Sequence, residues 1–313
     1  MAAHDILLYY LLNVSSAFYL SSVHNALYFV LDWHTTVLHF WHYCLTFFFL
    51  LLCSMIGMER WSRPLPITPF ILPITTQIII VLLSNRIHSQ TRSGSLYLLR
   101  VFDFLTTLTV SKFSNRLLRS DINPPINLLI PIAFGGSLSW LEFSVIEYET
   151  ISLILAPILA ILQGFQLLQI QKCYHTLNIN QPETFILYFT GLTTIGLIIP
   201  AFYSWIDSTI SADASWESID YLLIGMSIIF MPNYKYSEIW LQLNLTPHHF
   251  MVLEQTKFWI ASIGQWFVQN MAHATIFALT GKIVMLGALV RYFTEIKQRQ
   301  KTDYNDLSLT LFN

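Results

Sequence analysis

Residues 151–170 read ISLILAPILAILQGFQLLQI, an uncharged run that gives way to Gln171 and Lys172. At 1.5 Å per residue a helix of that length covers about 30 Å, the depth of a bilayer's hydrocarbon core. Only helices or closed barrels satisfy their backbone in that medium. Outward from this run, which belongs to a span at 149–170, similar stretches lie at 6–31, 35–57, 65–84, 95–113, 124–141, 183–206, 218–241, 247–268 and 272–293. Pro64 and Pro66 open the third stretch, Pro124 and Pro125 the fifth, Pro182 the seventh and Pro247 the ninth. Proline at a helix start wastes no hydrogen bond, so these residues mark span beginnings. The least marked divide is Phe267–Met271, where one long helix would replace two and the count would fall to nine.

Composition points the same way. Charged residues make up 11% of the chain, apolar residues 54%, and the mean hydropathy is +0.54. A water-soluble domain carries about 25% charge. The expected fold is therefore all-α, a polytopic membrane protein of about ten transmembrane helices, and the few charges inside its spans should carry its function.

Several function classes drop out. The formal net charge of −2 gives no global field for nucleic acid. Cys44 and Cys53 share a span, Cys173 lies in a connection, and none forms a CxxC, so neither a disulfide framework nor a zinc site is expected. GxSxG, HExxH, P-loop and GxGxxG motifs are absent, and the connections are too short for an enzyme domain, so neither catalysis nor a cofactor is expected. The first span lacks a basic n-region and reads as an anchor rather than a cleaved signal.

Lys and Arg set the orientation. With a cytosolic N-terminus, the inner connections hold Arg60, Arg63, Lys112, Arg116, Arg119, Lys172, Lys297, Arg299 and Lys301, against only Arg86 and Arg92 outside. Both termini are expected in the cytosol. The sequons at Asn13 and Asn244 then fall inside a span and on the cytosolic side, and neither is expected to carry glycan.

Five cations remain for the spans: Arg100, Lys235, Lys257, Lys282 and Arg291. Arg291 is near a cytosolic end and can snorkel. Lys257 and Lys282 lie roughly 15 Å into the core, where a cation costs at least about 2.5–3.5 kcal/mol. Asp103, Glu238 and Glu254 stand three residues from Arg100, Lys235 and Lys257, on the same helix faces. Either these pairs only neutralise themselves for insertion, or the cations line a cavity for an anionic substrate while the acids tune affinity. Lys282 has no such neighbour. His34, His39 and His42, with His248 and His249 far downstream, echo membrane di-iron sites but fall short of their histidine number. His34 reads instead as an interface residue, and His39 and His42 as part of an aromatic belt beside Trp33 and Trp41 at the outer end of the second span.

Particular segments resemble the triose-phosphate and nucleotide-sugar transporters of the drug/metabolite transporter superfamily. Tyr10-Leu11-Leu12-Asn13-Val14 is similar to that family's first-span start, and Ser84-Asn85 through Ser95 to its third-to-fourth span passage. Leu98 through Phe104 stands where the family has Lys and then Glu-Pro, here Arg100, Asp103 and Phe104. Leu128–Ser137 with Ser139-Trp140 resembles the fifth span and its turn, and Ile151–Lys172 the sixth span. Leu245-Thr246-Pro247 followed by Lys257 resembles the ninth, although Phe258 replaces the family's Arg, and Gly281 and Gly287 fit the last.

The resemblance implies two inverted five-helix repeats, 1–145 and 146–293, with a cytosolic tail at 294–313. It implies a secondary antiporter of a nucleotide sugar or sugar phosphate, exchanged for a nucleoside monophosphate or phosphate across a Golgi or ER membrane. Arg100 and Lys257 would clamp the anion and Asp103 tune it. Asn233, Tyr234 and Lys235 would add polar contacts, and Gln163 and Gln166 would bond sugar or base. A homodimer through spans five and ten follows by the same analogy. A transporter-like scaffold that no longer transports is the main alternative; a metalloenzyme and a drug exporter are weaker ones.

Overall fold

The computed structural model describes residues 3–30, 35–56, 64–90, 100–118, 125–141, 150–179, 181–207, 217–268 and 275–311. Among them every regular element is helical. The long helices are α1 (Ala3–Val30), α2 (Thr35–Met55), α3 (Ile71–Gln90), α4 (Asp103–Leu118), α5 (Ile126–Leu138), α6 (Thr150–Leu177), α7 (Pro182–Asp207), α8 (Ser218–Asn244), α9 (Pro247–Val268) and α10 (Ile276–Leu311). Among the described residues, five segments are long and apolar enough to cross a membrane: Thr35–Met55, Thr68–Ile87, Thr150–Leu177, Pro182–Ile206 and Ile276–Ile296. The outer faces of α7 and α10 expose large apolar side chains such as Ile199, Phe202, Ile276 and Ile283. Patches of this kind disfavour bare contact with water.

Helix boundaries depart from the expected ones for identifiable reasons. Prolines hold back the start of α3: a 3₁₀ turn at Thr68–Phe70, closed by the Phe70 amide on the Ile67 carbonyl at 2.9 Å, precedes it. The fourth helix is interrupted at Phe102: Arg100 and Val101 are helical but stand before the break, and α4 begins after it at Asp103. Ser137 of α5 takes up one early amide of α4, with Phe104 N donating to its Oγ at 3.1 Å. α6 runs on past residue 170 to Leu177, where Asn178 turns left-handed (φ 47°) and ends it.

α9 and α10 are two helices folded back on each other. Trp259 Nε1 donates to the Lys282 carbonyl at 3.1 Å, whereas one straight helix would hold those residues about 35 Å apart. Helix directions follow from similar contacts. α1 and α8 run antiparallel, Tyr9 meeting Trp240 and Tyr19 stacking on Phe230. α4 and α6 run parallel: Thr106 Oγ1 donates to the Ala160 carbonyl at 2.8 Å, and Phe113 packs on Phe165. α1 and α9 are also parallel, joined at Asn13 to Lys257 and at Phe18 to Gly264. α5 and α10 are antiparallel and nearly touch at their backbones: a Cβ on Gly135 would lie 2.7 Å from the Met285 amide nitrogen. Further pairings join α2 with α7, α2 with α8, α2 with α3, α3 with α6, α3 with α7, α4 with α5, α5 with α9, and α4 with α9.

Candidate functional site

Three ion pairs foreseen along the chain meet in space. Arg100 Nη1 lies 3.1 Å from Asp103 Oδ2, Lys235 Nζ 2.6 Å from Glu238 Oε2, and Lys257 Nζ 2.6 Å from Glu254 Oε1. The pairs come from α4 and the helical residue Arg100 just before it, α8 and α9. Glu238 and Glu254 each lie within electrostatic reach of both Lys257 and Arg100, and Asp103 of Lys257. Three cations and three carboxylates therefore form one cluster of zero net charge. Lys257 keeps only 3% of its side-chain surface exposed, while Arg100 keeps 30%. Removing one partner of a buried pair costs about 3–5 kcal/mol, because the other charge is left uncompensated.

Aromatic rings hold the cations apart. The guanidinium carbon of Arg100 sits 3.3 Å from the Phe258 centroid, and Lys257 Nζ lies 5.0 Å from that ring and 5.3 Å from Tyr234. Lys235 Nζ stands 4.8 Å from the Tyr43 ring of α2. A planar guanidinium stacks on such a face and an ammonium is drawn to it, each contact contributing about 0.5–2 kcal/mol. Phe258 thus has a part of its own where the resembling family has Arg: it is the platform on which Arg100 lies.

Asn13 of α1 ties the cluster together with its whole amide. Its Nδ2 donates to the Tyr234 carbonyl and to Ser237 Oγ, both at 3.1 Å, and its Oδ1 accepts from Lys257 Nζ at 3.1 Å. Asn13 was legible only as a polar residue in an apolar span; its partners lie more than 220 residues away. Tyr10, one turn before it, has a buried hydroxyl with no hydrogen-bond partner among the described residues, within electrostatic reach of Glu254 and Lys257.

Of the expected site residues, the structure brings together Arg100, Asp103, Tyr234, Lys235 and Lys257. Asn233 turns its amide onto its own helix, Nδ2 donating to the Ile229 carbonyl at 3.1 Å. Gln166 is buried on α6, and both its amide atoms lack a partner among the described residues. Among the described residues, no hydrogen bond or ion pair joins Gln163 or Gln166 to the cluster.

One other reading needs correction. His42 does not face outward from the protein as a belt residue would: it is 5% exposed, with its ring 6.2 Å from Tyr234 and 5.9 Å from His39. The expected position of His34 lies outside the described residues. Lys282 finds its place across helices, its Nζ donating to the Ser139 carbonyl at 3.0 Å, just past the end of α5. A cation there satisfies an orphan carbonyl and the negative end of the helix dipole.

By sequence, the chain matches no protein-family model and no curated protein. By fold it is similar to solved structures. One of them, described only as "Crystal structure of protein", superposes with a TM-score of 0.61 at 11% identity, over 92% of this chain and 96% of its own. That likeness concerns the fold alone.

Proposed function

We propose that this chain is a secondary transporter that exchanges a nucleotide sugar or sugar phosphate for a nucleoside monophosphate or phosphate. It would act across a Golgi or ER membrane, with both termini cytosolic. The observation that carries the reading is the convergence of Arg100, Lys235 and Lys257, from three parts of the chain, on one place between helices. Cations needed only for insertion have no reason to meet. Cations that bind a diphosphate must meet, because its charge is compact.

The helix pairings support two inverted repeats, 1–145 and 146–293. Exchanging α1–α5 with α6–α10 turns the pairing of α1 with α8 into that of α6 with α3. It turns α2 with α8 into α7 with α3, and leaves α2 with α7, α4 with α9 and α5 with α10 unchanged. Ten single crossings also require helices an odd number of places apart to run antiparallel and an even number parallel. The directions of α1 with α8, α5 with α10, α4 with α6 and α1 with α9 obey that rule. In this arrangement α4 and α9 face each other at the pseudo-axis, where carriers of inverted-repeat design hold their substrate.

A scaffold that no longer transports is the second reading, favoured by the carboxylate that each cation of the cluster already holds. A ligand that binds only the folded state raises its melting temperature. Purified protein heated with UDP-sugars, GDP-sugars, UMP, GMP and inorganic phosphate should be stabilised by at least one of them, and Lys257→Met should abolish that shift. A flat response across the panel would favour the scaffold.

A further inference from the structure

The cluster is neutral as it stands, and that neutrality constrains how an anion enters. Lys257 is its most enclosed cation, and it is held from two sides: by Glu254 at 2.6 Å and by the Asn13 amide oxygen at 3.1 Å. Asn13 is itself fixed by two bonds to α8, so it keeps the ammonium in place when the carboxylate leaves. A solute oxyanion that takes Lys257 must displace Glu254. The displaced carboxylate has nowhere charged to go. The groups around it are Lys257 on its own helix, Glu238 and Tyr234 from α8, Arg100 before α4 and Tyr10 from α1. Arg100 already holds Asp103, and Glu238 repels a second carboxylate. α5 brings no titratable side chain, while Lys282 and Tyr292 of α10 bond Ser139 and pack on His249 instead.

From this geometry we infer that Glu254 is a proton site linked to solute binding: when an anion takes Lys257, the freed Glu254 carboxylate accepts a proton from the aqueous phase. The inference rests on the carrier reading above and adds a second ligand to it. The step balances, since one negative charge enters with the solute oxygen and one positive charge enters as the proton, forming a carboxylic O–H. The buried hydroxyl of Tyr10, unpartnered among the described residues, is available as a hydrogen-bond partner of the neutral acid. Uncompensated, the carboxylate would remain charged at low dielectric, which is far costlier than taking up a proton. Binding should therefore strengthen as pH falls and weaken as it rises. Each linked proton contributes about a tenfold change in affinity per pH unit.

Two measurements on the full-length protein in detergent separate this inference from the carrier reading. The first needs no solute. Lys257→Gln removes the ammonium as an arriving anion would neutralise it, and infrared difference spectra at neutral pH should then show a carboxylic-acid carbonyl band. The band should be missing from the wild type and from Lys257→Gln/Glu254→Gln. No band in the single variant overturns the proton site whatever the substrate. The second is the affinity for UDP-glucose against pH, because its diphosphate diester does not titrate in the neutral range. The wild type should bind more tightly with falling pH, by about tenfold per unit for one proton, and Glu254→Gln should show a flat profile. Binding with no pH dependence in the wild type overturns the inference and leaves the carrier standing. If the infrared band is present but UDP-glucose does not bind, the proton site stands and the nucleotide-sugar reading is what fails.

Discussion

Phe258 lies between two cations that would otherwise repel. Arg100 is stacked on it at 3.3 Å, and Lys257 approaches the same ring at 5.0 Å. Phe258→Leu keeps the apolar volume but loses the ring's negative face, releasing Arg100 from its platform. The expected result is a stability loss of about 0.5–2 kcal/mol and weaker binding of an anionic probe, with Phe258→Tyr retaining both. The half-buried Lys282 gives a contrasting case. Lys282→Met should cost about 1.5–3 kcal/mol by freeing the Ser139 carbonyl, seen as a lower melting temperature, yet leave probe affinity unchanged. A loss of binding in Lys282→Met would mean that this lysine, too, belongs to the site.

At the scale of the helix, what could be read from the chain was what is local. Spacing of three residues placed Asp103, Glu238 and Glu254 beside their cations, and all three pairs form. Proline marked the beginnings of α7 and α9 and also delayed α3, where several prolines in one short stretch held the backbone out of the helix until Phe70. The role of Asn13 was not legible, nor that of Phe258 as a platform or of Lys282 as the partner of an α5 carbonyl, because each depends on which helix faces meet. Burial of His42 escaped for the same reason: its neighbours Trp33 and Trp41 suggested an interface, whereas the packing of α2 on α8 draws it inward. The close approach of α5 and α10 is testable here. At Gly281 an added Cβ would run into the Ser139 amide nitrogen and the Leu138 backbone, neither of which can swing aside. Gly281→Ala should therefore destabilise the protein by about 1–3 kcal/mol in a thermal melt. An unchanged melt would mean that the two helices are not in backbone contact.

On the scale of the whole molecule, the pairings of ten helices and the zero net charge of their shared cluster belong together. α4 packs against α9, and that approach lets Arg100 lie over the neighbour of Lys257. A cation paired with its own carboxylate is neutral without a solute, and in the proposed carrier an arriving anion would exchange partners with the acids. The account thus depends on the cluster's being visited by solute from both faces of a membrane. Exchange of labelled nucleotide sugar into liposomes preloaded with nucleoside monophosphate tests that most directly. The wild type should exchange, and Arg100→Ala and Lys257→Ala should each abolish exchange while still inserting. Full exchange in both variants, from protein that carries neither cation, would contradict the account.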